Sequence, residues 1–153
     1  MSLIFDCHLD LSLNGLEYNR DLRLPVDEIR NREAGMTDLK GRAAGTTAFP
    51  EMRQAGLGIC VATQLAGCMK GPRPIAGWMS PEQAWAQTQG QLAWYRALEE
   101  DGQMRQIWNR SDLAAAIELW TNGEPDAGKP ICYVLSLEGA DSIVNLSYLE
   151  RAV

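Results

Sequence analysis

The sequence predicts an α/β fold with a parallel sheet, and the pattern and order of its apolar runs are the main reason. Three short runs lack in-and-out alternation and are bounded by turn or polar residues, at residues 3–7, 58–63 and 131–137. This is the pattern of strands buried on both faces of a sheet. A weaker strand candidate covers residues 103–108. Helical stretches separate the strands, which indicates βα units and therefore parallel strands.

The helical stretches carry recognisable start and stop signals. The clearest helix begins at Ser80, followed by a proline in the first turn and by Gln83 three residues after the cap. A second helix opens at residues 109–112 and runs to Trp120. Two shorter helices are expected at residues 25–32 and 49–55, and the glycine that follows the latter suits a helix C-terminus.

Composition narrows the range of functions. With 153 residues, the chain has the length of one domain. The net charge of -6 and the scattered basic residues argue against a nucleic-acid partner. No apolar run approaches the ~20 residues that span a bilayer, and no secretory signal is visible, so no membrane partner is expected. None of the four cysteines forms a Cys-x-x-Cys pair, and this usage suits a reducing cytoplasm. Cys60 and Cys132 lie in apolar runs, as small core residues do.

The chain contains one histidine, His8, within the segment FDCHLD at residues 5–10. Residues two apart on a strand point to the same side, so His8 and Asp10 are expected side by side where the first strand ends. The carboxyl ends of parallel strands are where α/β proteins build their sites. An imidazole beside a carboxylate is the beginning of a zinc-type site, although an incidental polar turn gives the same pattern.

Glu138 provides a further carboxylate directly after the third apolar run. A glutamate there is costly to desolvate unless something neutralises it, and a metal ion would do so. In a parallel sheet Glu138 falls at the same rim as His8 and Asp10, so the three side chains are expected to converge. The alternatives are a solvated glutamate at a strand end and an N-terminal helix cap.

Three segments carry a family resemblance. Residues 6–10 read DCHLD, residues 50–61 read PEMRQAGLGICV and residues 136–140 read SLEGA. They resemble, in order, the Asp-Gly-His-Asn-Asp segment, the second strand with its glycine-rich approach, and the Gly-Ile-Glu-Gly-Gly segment of the membrane (renal) dipeptidase family. This is peptidase family M19, whose members are amidohydrolase-type metallopeptidases. Cys7 departs from the family glycine, and residues 14–47 follow no family pattern.

The resemblance implies an architecture that this chain holds only in part. The fold would be the N-terminal three to four βα units of a (β/α)₈ TIM barrel of the metal-dependent hydrolase type, which typically needs about 250 residues. Residues 1–153 would form a single partial domain. Its open sheet edges are prone to pair with other chains. The remainder of the barrel, or an oligomeric partner, is therefore expected to cover them.

The resemblance also implies a role for each site residue. His8 and Asp10 would ligate one Zn²⁺, and Glu138 would bridge that ion to a second Zn²⁺. In the family, two further histidines bind the second metal. Another histidine, an arginine and an aspartate serve substrate binding and proton transfer, and all of these come from later strands. This chain would therefore contribute no catalytic residue beyond its metal ligands and no site for another cofactor.

The function implied by the resemblance is hydrolysis of a dipeptide or small amide through a binuclear zinc centre in the complete enzyme. This chain alone is expected to be inactive. The alternative is a non-catalytic interaction or regulatory protein that keeps a remnant of the barrel site. A flavodoxin-like binding domain is a weaker idea, because no glycine-rich phosphate loop follows the first strand.

Overall fold

The fold is an α/β arrangement on a parallel sheet, as the sequence predicts. A computed structural model describes residues 2–68, 77–122 and 128–151. The described strands pair in parallel in the order β1-β2-β4-β3. In chain order the elements are β1 (Ile4–Leu9), a π-helical turn (Leu13–Glu17), α1 (Val26–Arg32), α2 (Phe49–Ala55), β2 (Leu57–Leu65), α3 (Pro81–Glu100), β3 (Met104–Gln106), α4 (Arg110–Thr121), β4 (Ile131–Glu138) and α5 (Leu146–Leu149).

The helix signals in the sequence are confirmed by the caps. The Ser80 hydroxyl accepts a hydrogen bond from the Gln83 backbone N–H at the start of α3. The Asn109 side chain accepts one from the Asp112 N–H at the start of α4. Gly56 ends α2 with φ 78°, a left-handed conformation that glycine adopts without strain. Among the described residues, no helix is both long and apolar enough to cross a membrane.

The core lies between the sheet and the helices, with β2 as the central strand. Tyr95 of α3 stacks on Tyr133 of β4, with the ring centroids 5.2 Å apart. Trp120 of α4 packs directly over Gly58, where a Cβ atom would come within 2.2 Å of the indole. Fully burying each large apolar side chain of this kind stabilises the fold by about 1.5–3 kcal/mol. Cys60 and Cys132 are also buried, as expected of small core residues.

The first strand differs from the expectation of a buried strand. Ile4 and Phe5 of β1 are 44% and 50% exposed. The reason is position, since β1 is an edge strand of the described sheet and pairs there with β2 alone. At the opposite edge, β3 pairs with β4 only along Ile131–Tyr133, so the later residues of β4 have no strand beyond them among the described residues. The described sheet is therefore open at both sides of its carboxyl-terminal rim.

Candidate metal site

The three residues singled out in the sequence meet at one rim of the sheet. His8 lies near the end of β1, Asp10 follows that strand, and Glu138 is the last residue of β4. Central β2 pairs with both β1 and β4, and its Leu65 lies opposite Glu138. One ligand atom from each of the three side chains lies within 4.8 Å of the others. The predicted convergence is therefore confirmed.

The contacts within this cluster are short and solvent-accessible. His8 Nε2 lies 3.0 Å from Glu138 Oε2 and 3.4 Å from Asp10 Oδ1. The side chains of His8, Asp10 and Glu138 are 56%, 32% and 42% exposed. Gly139 follows Glu138 with φ 79°, so the chain turns directly after Glu138 in a conformation that suits glycine. The cluster is thus open to solvent and to a small ion.

Two neighbouring residues have more local roles. Asp6 lies two residues before His8, and its Oδ1 accepts a hydrogen bond from the backbone N–H of His8 at 2.9 Å. Asp6 therefore shapes the main chain at His8, while the ring Nε2 faces Glu138. Cys7 is an exposed free thiol and does not belong to the cluster of potential metal ligands.

Sequence reasoning missed the residues that surround Asp10. Thr63 of β2 donates its hydroxyl to Asp10 Oδ1 at 2.5 Å. Asn14 donates its side-chain amide to the backbone carbonyl of Asp10 at 2.9 Å. The one signal in the sequence is that Thr63 is a polar residue inside an apolar run. Such a residue must find a partner when buried, but the pattern does not say which one.

Two cavities of the structure are lined by the segment after β1. A small cavity of about 270 Å³ adjoins Asp10 and extends past Asn14 to Arg20. A larger cavity of about 1060 Å³ lies between α1, α3 and the loop after β1, and none of the three clustered residues lines it. Arg20, Glu33 and Arg42 form a buried ion-pair cluster along that cavity. Cavity volume alone therefore does not indicate a functional site at the rim. The chemistry of the three clustered side chains indicates it.

The parallel βα arrangement and the cluster at the carboxyl rim define an α/β protein with a candidate metal site. Among solved structures, it is similar to a crystal structure of dipeptidase AC, described as a metallopeptidase of family M19, with a TM-score of 0.55 and 20% sequence identity. The likeness covers 98% of this chain and 40% of that one. This likeness confirms the fold expected from the sequence, an incomplete (β/α)₈ barrel. No protein-family model and no curated protein matches the sequence.

Proposed function

We propose that this chain supplies one side of the metal centre of a metal-dependent, dipeptidase-like hydrolase, with His8, Asp10 and Glu138 as zinc ligands. The observation that carries the proposal is the convergence of these three side chains at the carboxyl rim of the sheet. His8 and Asp10 lie near one end of the sequence and Glu138 lies near the other, and the parallel pairing of β1 and β4 with β2 brings them together. The fold likeness to an M19 metallopeptidase supports the same reading.

The donor set and its spacing suit a zinc ion. Zinc takes imidazole nitrogen and carboxylate oxygen at about 2.0–2.1 Å, so neighbouring ligands in a tetrahedron lie about 3.3 Å apart. The separations of 3.0 and 3.4 Å between His8 Nε2 and the two carboxylate oxygens fall close to that value. A divalent cation would also offset the charges of the two carboxylates that both approach His8 Nε2. A surface pair of His8 and Glu138 accounts for the 3.0 Å contact but not for the approach of Asp10 to the same ring nitrogen.

Each residue has a defined task in the proposed centre. His8 and Asp10 would hold the first ion, and Glu138 would span the first and a second ion. Bound zinc supplies Lewis acidity, which lowers the pKa of a water molecule and polarises the amide carbonyl of a dipeptide or small amide. Thr63 and Asn14 hold the Asp10 segment, so the chain brings its ligands to the rim before the metal arrives.

We infer further that this chain alone does not turn over substrate. It spans 40% of the length of the metallopeptidase it resembles and contains one histidine, which is too few for a binuclear centre of the kind proposed. The open edges at β1 and β4 suit the remainder of a barrel or an oligomeric partner. A non-catalytic interaction or regulatory protein is the competing proposal, and the exposed Ile4 and Phe5 of β1 favour it, since they would suit a protein partner.

Zinc titration of the purified chain tests the metal site. Isothermal titration calorimetry should show one Zn²⁺ bound, and both His8→Ala and Glu138→Ala should weaken binding at least about 100-fold by removing a ligand. Asp141→Asn is the matched control, because Asp141 is an exposed carboxylate at the same rim outside the cluster. Equal zinc affinity in all four proteins would overturn the site.

Hydrolysis assays separate the two proposals for the whole protein. The chain should cleave no dipeptide in a chromatographic assay, whereas the chain completed by the missing barrel strands should cleave some members of a dipeptide panel with added zinc. Failure of the completed, zinc-loaded protein on the whole panel would favour the non-catalytic role.

We also propose a cytoplasmic location, supported by four free cysteines. Cell fractionation with thiol labelling would test it.

A further inference from the structure

A buried polar network lies behind the proposed metal site and ends on Asp10. It consists of Ser12 after β1, Thr63 on β2 and Tyr95 on α3, which are 0%, 1% and 0% exposed. A hydrophobic core holds such groups only when they are hydrogen-bonded, so each contact of the network has to be in place in the folded protein. The proposed function assigns no task to these three residues beyond the one contact at Asp10.

The Thr63 hydroxyl reaches the candidate ligand directly. Its Oγ1 lies 2.5 Å from Asp10 Oδ1 and 3.4 Å from the Leu9 carbonyl oxygen. A hydroxyl has one proton to donate and a carboxylate accepts only, so the shorter contact takes the proton. Hydrogen bonds to an ionised acceptor are among the stronger ones in proteins. Thr63 thereby fixes the side-chain torsion of Asp10 and leaves its carboxylate facing His8.

The main chain of Thr63 is held in place by two buried hydroxyl groups. β1 pairs with β2 as far as Leu9 and Ala62, and just beyond that pair the Thr63 carbonyl accepts from Ser12 Oγ and from Tyr95 Oη, both at 2.8 Å. The Tyr95 oxygen also accepts from the Ser12 backbone N–H at 3.2 Å. Burial raises the pKa of Tyr95, so its hydroxyl keeps the proton it donates. The stacked Tyr133 ring fixes the position of Tyr95 in turn.

From this geometry we propose that Thr63, held by Ser12 and Tyr95, is the positioning residue for Asp10 and sets the metal affinity of the rim. This inference rests on the proposed metal site. Residues that orient metal ligands typically change metal affinity 10–100-fold when they are removed. Thr63 touches neither metal nor substrate, so its contribution should appear in ligand geometry and in affinity rather than in the identity of the ligands.

The test compares variants that differ only in the hydroxyl. Thr63→Val keeps the branched shape and loses the hydroxyl, while Thr63→Ala and Thr63→Ser differ from each other by that group alone. Thr88→Val is the matched control, because Thr88 is equally buried but donates within α3 to the Trp85 carbonyl. Three-bond couplings of the metal-free chain report the Asp10 side-chain torsion by NMR, and calorimetry with Zn²⁺ reports affinity.

We expect one Asp10 rotamer in wild type, Thr63→Ser and Thr88→Val, and averaged couplings in Thr63→Val and Thr63→Ala. Zinc affinity should fall about 10-fold or more in the latter two and recover in Thr63→Ser. Unchanged zinc affinity in Thr63→Val overturns the inference, and so does weaker binding without rotamer averaging. A wild-type chain that binds no zinc overturns the proposed site and this inference together. Equal binding by wild type and Thr63→Val overturns the inference alone.

Discussion

Two charged clusters of this molecule differ in how the fold completes them. Around Glu33, the chain supplies four donors at 2.7–2.9 Å, from two atoms of Arg20, one of Arg42 and the backbone of Ala43, and the Glu33 side chain is 5% exposed. At the rim, Glu138 is 42% exposed, and within the described part of the chain its one hydrogen-bonding partner is His8. The first carboxylate is fully satisfied by protein, and the second still has lone pairs for a ligand.

The difference indicates what each cluster is for. A buried carboxylate with every oxygen occupied fixes the path of the chain, because its ionised form is stable there only while its charged partners stay in place. A half-exposed carboxylate with a free lone pair costs little to leave as it is, and one of its oxygens stays available to an ion. Both clusters draw on the segment after β1, since Arg20 also donates to Asn14, which in turn holds Asp10. The structural cluster therefore supports the candidate site through Asn14.

The largest expected effect comes from breaking the buried cluster. Glu33→Gln should lower the free energy of unfolding by about 3–5 kcal/mol, because it leaves the buried guanidinium group of Arg20 without its compensating carboxylate, whereas Arg42 keeps its pairing with Asp38. Urea denaturation measures the change. Glu28→Gln is the control, since Glu28 pairs with Arg32 on the exposed face of α1 and should cost less than about 0.5 kcal/mol. Similar losses in the two variants would remove the distinction between the clusters.

Acid should weaken the same cluster by a comparable amount. The hydrogen bond from Arg20 lowers the pKa of Glu33 to about 2 from its ordinary 4.5. A lowered pKa in the folded state gives stability that is complete above about pH 4.5 and is lost as pH falls towards 2. The shift corresponds to about 3 kcal/mol. Urea midpoints between pH 7 and 2 should fall more steeply for wild type than for Glu33→Gln, and parallel curves would contradict the assignment.

The stability of the protein should depend on zinc at the rim and hardly at all on the charge of Glu138. Without metal, Glu138→Gln should change the free energy of unfolding by less than about 0.5 kcal/mol, because Glu138 is exposed. With Zn²⁺ at about 100 times its dissociation constant, wild type should gain about 2.7 kcal/mol and the variant should gain much less. Urea denaturation with zinc or with a chelator measures both. A metal-free loss as large as that of Glu33→Gln would make the rim a structural cluster too.

The sequence predicts the elements well because their signals are local. Capping by Ser80 and Asn109 depends on residues within one turn, and β4 is a continuous apolar run ending at a glutamate. The convergence of His8, Asp10 and Glu138 also follows from local signals, once parallel strands place their carboxyl ends at one rim. These features need only periodicity and a topological rule.

The other features of the fold and of the candidate site depend on contacts that no local sequence pattern encodes. The exposure of Ile4 and Phe5 results from the edge position of β1, whereas the same apolar run in a central strand would be buried. Thr63 meets Tyr95 across 32 residues, and Arg20 meets Glu33 across a segment that includes α1. An ordinary threonine or arginine carries no sign in the sequence of the partner it will find. Side-chain packing decides those pairs.

The separation of 130 residues between His8 and Glu138 has a consequence for the order of events during synthesis. A ribosome that has released the chain only as far as α4 presents His8 and Asp10 without the third ligand. If the proposed zinc site exists, the nascent segment would then hold zinc no better than a two-ligand surface pair. Full affinity would arise when β4 docks beside β2, so metal capture would mark the moment at which the last described strand takes its place.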